Sequence, residues 1–134
     1  WDVSNVTTMY ATFAGASSFN QPLNNWDTSS VTNMLGVFSR TTSFDQDISD
    51  WDISNVSDFQ VFARFVTLST TNYDAILIGW EATLQAAFPN GSGYTPSITI
   101  DFGGSEYTGG GAAATARASL VSNFGWTIVD GGIA

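Results

Sequence analysis

The chain contains no cysteine, no histidine and no lysine. Without cysteine there is neither a disulfide framework nor a thiolate metal site. Without cysteine and histidine there is no Ser-His or Cys-His pair for nucleophilic catalysis. Without lysine there is no Schiff base, and Gly103-Gly104 and Gly109-Gly110-Gly111 cannot belong to a phosphate loop ending Gly-Lys-Ser/Thr. Charge is scarce as well: Asp, Glu, Lys and Arg make up 11% of residues, against about 25% in soluble domains. The charge present is acidic, 12 carboxylates against 3 arginines, net -9. That balance argues against nucleic acid, which needs a basic stripe, and against an anionic membrane surface. No apolar run is long enough to span a bilayer, so no membrane insertion is expected, and there is no signal-peptide pattern. A carboxylate pair of the glycosidase kind is the one catalytic device the inventory leaves. Glu81, Glu106 and the aspartates could supply it, but no pattern sets one acid beside another, and a non-enzyme is expected.

What is present is apolar residues at 43%, aromatics at 14%, and polarity carried by Ser, Thr, Asn, Gln and Gly. The 134 residues are one domain's worth of chain. The dominant feature is a repeat. Trp1-Asp2-Val3-Ser4-Asn5-Val6 returns as Trp26-Asp27-Thr28-Ser29-Ser30-Val31 and as Trp51-Asp52-Ile53-Ser54-Asn55-Val56, spaced by 25 residues each time. Met9, Met34 and Phe59 share a phase, as do Phe13 and Phe38, Phe19 and Phe44, Gln21 and Gln46, and Leu23 and Ile48. A fixed period of this length marks a solenoid, whose units bury their apolar faces by stacking on each other.

Each unit reads as three parts. Trp-Asp-Val/Thr/Ile is a short strand, with Trp and the residue two places on facing the core. Val6, Met9, Tyr10 and Phe13, and Val31, Met34, Leu35 and Phe38, have helical spacing. Ser4 or Asn5, and their counterparts in later units, stand where an N-cap belongs. A return loop follows, anchored by Phe19 and Leu23. The third unit departs after Phe59, and residues 1–67 are read as three repeats with the third degenerate. Residues 68–134 are read as a capping region. It opens on a longer helix capped by Ser69, Thr70 or Thr71, with Tyr73, Ile76, Leu77, Trp80, Leu84 and Phe88 as one stripe. Gly79 within that stripe calls for close packing of a neighbour, since it costs about 1 kcal/mol against Ala. Pro89 to Gly93 is a turn, Ser97 to Phe102 a strand, the glycines around Tyr107 a loose loop, Ala112 to Phe124 a helix and Trp126 to Val129 the last strand. Strand, helix, strand implies a parallel crossover that extends the sheet of the repeats. The expected class is therefore α/β: a short parallel solenoid of leucine-rich-repeat type, built of strand-helix units, with a helix-strand-helix-strand cap.

The motif Trp-Asp-x-Ser-x-Val-x-x-Met/Phe at Trp1 to Met9, Trp26 to Met34 and Trp51 to Phe59 resembles the BspA-type, leucine-rich-repeat-like family of bacterial surface proteins, formerly a domain of unknown function in bacterial lipoproteins. Ser18-Phe19-Asn20-Gln21 and Ser43-Phe44-Asp45-Gln46 resemble the same family's loop. Residues 68–80 and Ala113 to Gly132 resemble the tail that ends such arrays, although Thr108 stands where relatives often carry Cys. The resemblance implies a secreted or surface-anchored bacterial protein concerned with adhesion and host or matrix contact. It implies no enzyme activity and supplies no binding residues.

Three groups of side chains invite a functional reading. Asp2, Asp27 and Asp52, with Ser4, Ser29 and Ser54, form an outward ladder whose Cα atoms stack about 4.8 Å apart. It is either a ligand- or cation-binding strip or a set of side chains capping the turns that follow. Asp45, Asp47 and Asp50 lie close to Asp52 and could hold Ca²⁺, but without the turn Gly and closing Glu of a calcium loop. A solvated acidic face is the default, and no cofactor is expected. Thr7, Thr32 and Ser57 form a hydroxyl column of the kind a glycan- or ice-binding solenoid would use. Trp1, Trp26 and Trp51 read as a core ladder rather than a sugar platform. The sequons at Asn5, Asn55 and Asn90 read as cap and turn chemistry.

The function expected is a non-catalytic extracellular module making protein or matrix contacts, secreted or at the bacterial surface. The alternatives are a glycan- or ice-binding solenoid and a ligand-free cap or spacer of a larger adhesin. The chain opens in mid-pattern, as a piece of something longer would. Trp1 to Val3 is expected to be an edge strand, open to self-association or to further repeats.

Overall fold

The computed structural model describes residues 1–134 as a mixed α/β structure with two helices and short parallel strands. The three 25-residue units lie in register on one another. Met9, Ala11, Phe13 and Gly15 donate their N–H groups to the carbonyls of Asn33, Leu35, Val37 and Ser39 at 2.8–2.9 Å. One unit later, Met34, Gly36, Phe38 and Arg40 donate to Asp58, Gln60, Phe62 and Arg64. In each of these peptide groups the N–H points towards the next unit and the C=O towards the preceding one. Side chains follow the same register. Trp26 lies 6.2 Å from Trp1 and 6.4 Å from Trp51, rings stacked, and Phe13 stacks on Phe38 at 5.5 Å.

Two expectations are corrected here. The Trp-Asp-x segments are not strands, and Val6 to Phe13 and Val31 to Phe38 are not helices. Both regions are chains of turns, with isolated parallel bridges joining Thr8, Asn33 and Asp58. Helical spacing placed Met9, Val31, Met34 and Phe38 inside correctly and Tyr10, which is 62% exposed, wrongly; overlapping four-residue turns also return side chains to one face. A helix would have bonded these amides internally. The segment is too short and too rich in Val, Thr and Asn for that to win alone, while the neighbouring unit presents a carbonyl to every second amide. The turns require left-handed backbone at two positions per unit: Ala11, Gly36 and Val61, then Gly15, Arg40 and Phe65, with φ from 50° to 74°.

The tail follows the sequence reading more closely. Helix α1 (Thr70–Ala87) starts at Ser69, whose hydroxyl accepts the Asn72 N–H, and buries Tyr73, Ile76, Leu77, Trp80 and Leu84. Helix α2 (Ala112–Ser122) packs on it. Strand β1 (Thr99–Asp101) pairs in parallel with β3 (Thr127–Val129). The expected loose loop around Tyr107 contains β2 (Glu106–Tyr107), which pairs in parallel with β4 (Gly132–Ile133). The two pairs are separate sheets rather than a continuation of a repeat sheet. The units join β1 through the bond from Ala63 N–H to the Asp101 carbonyl.

The first turn and core face of α1 reproduce links that the units make to each other. Trp51 donates its indole N–H to the Leu23 carbonyl at 2.9 Å, and Trp80 donates to the equivalent Ile48 carbonyl at 3.0 Å. Asn20 Oδ1 accepts from the Asp45 N–H, and Asp45 Oδ1 accepts from the N–H and hydroxyl of Ser69. The core is one cluster running from Met9 and Leu23 through Trp51 to Trp126.

Candidate functional site

The ladder of units and strand β1 part beyond the Ala63–Asp101 bond, leaving a cleft of ≈ 580 Å³. Its walls are Ser57, Asp58, Phe59, Gln60 and Val61 from the third unit, Ser97 just before β1, and Thr99, Asp101 and Val129 from β1 and β3. Two residues before Ala63 and Asp101, Val61 and Thr99 both face it, with no bond between them. The N–H groups of Phe59 and Val61 occupy the register in which Met34 and Gly36 donate to the next unit, yet no acceptor meets them. On the opposite wall, β1 pairs with β3 through the Ile98 carbonyl and the Phe102 N–H, so Thr99 turns its own backbone groups towards the cleft.

Two carboxylates flank this opening. Asp58 Oδ1 accepts from the Gln60 N–H at 3.0 Å, and Asp101 Oδ1 accepts from the Gly103 N–H at 2.8 Å. Arg64 stands 4.0 Å from Asp101 Oδ2. The lining offers hydroxyls, an amide, carboxylates and open backbone donors.

The residues singled out in the sequence lie elsewhere. Asp2, Asp27 and Asp52 each accept the N–H and hydroxyl of Ser4, Ser29 and Ser54 at 2.6–3.0 Å. These bonds, the hydroxyl first and the N–H second, hold the Asp2 and Asp27 carboxyls below the ordinary range. The ladder is thus engaged in closing its own turns. Asp45, Asp47 and Asp50 are not gathered into a site: no group of three or more Asp or Glu side chains converges. Burial pushes the Asp45 carboxyl up, but the bonds from Asn72 and Ser69 outweigh it and leave the group below its usual value. Asp47 accepts the Ser49 N–H, and Asp50 accepts from Asn24. Thr7, Thr32 and Ser57 are exposed in a row, with the Thr32 and Ser57 hydroxyls 3.2–3.3 Å from the carbonyl of the preceding unit. Of all these, only Ser57 touches the cleft.

The tryptophan ladder is graded, not uniformly buried: Trp51 is 0% exposed, Trp26 is half-buried and Trp1 is 97% exposed. Trp1 stacks on Trp26 but is otherwise open, which corrects the expectation that it faces the core. It lines a smaller apolar hollow of ≈ 280 Å³ with Phe13, Phe19, Leu23 and Trp26. The expected edge strand at Trp1 to Val3 is absent; the open backbone groups at this end are the carbonyls of Thr8, Tyr10, Thr12 and Ala14.

A part-buried ion pair, unseen in the sequence, ties the tail together. Arg117 on α2 holds Asp130 through two bonds, at 2.8 and 3.1 Å, and lies over the Tyr107 ring. Tyr73 on α1 donates its hydroxyl to the same carboxylate at 2.7 Å. Burial first, and this bond second, push the Tyr73 hydroxyl far up. The bond to Asp130 raises Arg117. The pair sits on structure rather than in a cleft. No helix is long and apolar enough to cross a membrane.

No curated protein and no solved structure matches the chain. A family model does, over residues 1–82, which span the three units and most of α1. The match covers the Trp-Asp-x-Ser repeats and their stacked indoles together, and on it the chain belongs to the family described as Mycoplasma protein of unknown function, DUF285.

Proposed function

We propose that the chain is a non-catalytic binding module of a bacterial surface protein, secreted or cell-attached, in which the stacked units form a short solenoid of leucine-rich-repeat type and the ligand is another protein. The cleft between the third unit and β1 carries this reading. It is polar and open, it exposes backbone donors, and it contains no reactive pair. The absence of His, Cys and Lys from the whole chain supports the same conclusion. We assign Asp2, Asp27 and Asp52 with their serines to turn closure, and place ligand contact at Gln60, Thr99 and their neighbours. Calcium has no part in the reading.

Binding of the chain to immobilised extracellular-matrix proteins, run beside a glycan array and a thermal-hysteresis assay, tests it. Saturable binding to a protein is expected, lost with Gln60→Lys plus Thr99→Lys and kept with Asp27→Asn. Glycan binding or thermal hysteresis, with no protein bound, would transfer the function to the Thr7, Thr32 and Ser57 column. No ligand of any class would leave a structural cap or spacer.

A further inference from the structure

We propose that the cleft is a strand-shaped site for an extended, basic polypeptide segment, which would fill the missing rank between the third unit and β1. The inference rests on the protein-ligand reading above and names its partner class.

Backbone complementarity comes first. Every rank of the stack donates N–H groups forward and is met by carbonyls of the next, as Met34 and Gly36 are by Asp58 and Gln60. At the third unit Ala63 finds its acceptor in Asp101, while Phe59 and Val61 find none. An extended segment presents a carbonyl at every second residue on one edge, the spacing of these two amides, and its other edge then meets the backbone of Thr99.

Charge selects the segment. The lining contains two carboxylates, Asp58 and Asp101, and no cation; Arg64 borders it beside Asp101. The chain as a whole carries -9. A segment with Lys or Arg at alternate positions complements both the walls and the long-range field.

The probe is a short peptide of alternating Lys and Thr, compared with a version carrying Glu for Lys and one N-methylated along one edge. The readout is amide chemical shift and hydrogen exchange in the isotopically labelled full chain. The Lys peptide is expected to shift the Phe59 and Val61 amides and to slow their exchange about tenfold or more. The N-methylated and Glu versions are expected to leave both unchanged. Asp58→Asn with Asp101→Asn keeps the acceptors for Gln60 and Gly103, and should weaken the Lys peptide about tenfold with little change in melting temperature. Unmoved Phe59 and Val61 amides, or equal binding of the Glu version, would overturn the proposal. If the chain still captures a matrix protein in that case, the strand site is wrong and the wider reading stands; if nothing is captured, both fail.

Discussion

Trp80 stands to Ile48 as Trp51 stands to Leu23: each indole donates to a carbonyl one unit back, at 3.0 and 2.9 Å. The 25-residue period places Ile76, not Trp80, at the next tryptophan position, so helix α1 supplies the indole from one helical turn further on. The end of the stack is sealed by imitation of the repeat.

Replacing Trp80 with Phe keeps most of the ring but removes the indole bond to the Ile48 carbonyl, which retains the Trp51 N–H. A loss of about 1–3 kcal/mol is expected, combining one lost hydrogen bond with lost volume. Trp51→Phe should cost about as much, by the same principles. Trp1→Phe, at a residue 97% exposed, should change little. Urea unfolding of the three variants makes the comparison.

Gly79→Ala is expected to destabilise, although Ala is the better helix former by about 1 kcal/mol. A Cβ there would lie 2.5 Å from the Ser49 carbonyl oxygen and 2.8 Å from the Ser49 Cβ. Backbone on the far side cannot move aside easily, and a net loss of about 1–3 kcal/mol should appear as a lower denaturation midpoint.

The Arg117–Asp130 pair is part-buried: the Asp130 side chain is 4% exposed and that of Arg117 23%, and Tyr73, Arg117 and the Gly132 N–H all bond the carboxylate. Arg117→Met leaves the carboxylate with the Tyr73 and Gly132 donors alone and should cost about 1–3 kcal/mol. The loss should persist at high salt, where a surface pair would be screened. Thermal melts across a salt series check both points.

Acid should unfold the chain from the repeat side. Asp2, Asp27 and Asp45 all have carboxyls held below the ordinary value. Groups lowered on folding contribute stability that is fully present above the unfolded value, about 3.9, and is lost as pH falls through their folded values. The melting temperature should therefore hold steady above about pH 5 and fall below about pH 4. Asp45→Asn should be less stable at neutral pH and show a shallower fall in acid.

The period, the inward residues and the tail elements were legible because they depend on local pattern: the spacing of Trp and Phe, the Ser69 cap, the α1 stripe. The form of each unit was not. Val6 to Phe13 has helical spacing, but its amides are claimed by a chain segment 25 residues away, and no local window contains that competitor. Gly15 and Gly36 were the available signal, since they mark the two left-handed positions of the unit. The cleft was invisible for a related reason. It is defined by bonds that Phe59 and Val61 do not make, and residue identity does not record an absent partner. Arg117 and Asp130 lie 13 residues apart in the tail, and only the fold brings them together.

Amide hydrogen exchange of the free chain tests the stacked ladder most directly. The account predicts strong protection at Ala11, Phe13, Met34, Gly36 and Phe38, whose N–H groups bond the next unit, and fast exchange at Phe59 and Val61. Free exchange at Gly36 and Phe38, or protection at Phe59 and Val61 equal to theirs, would contradict it.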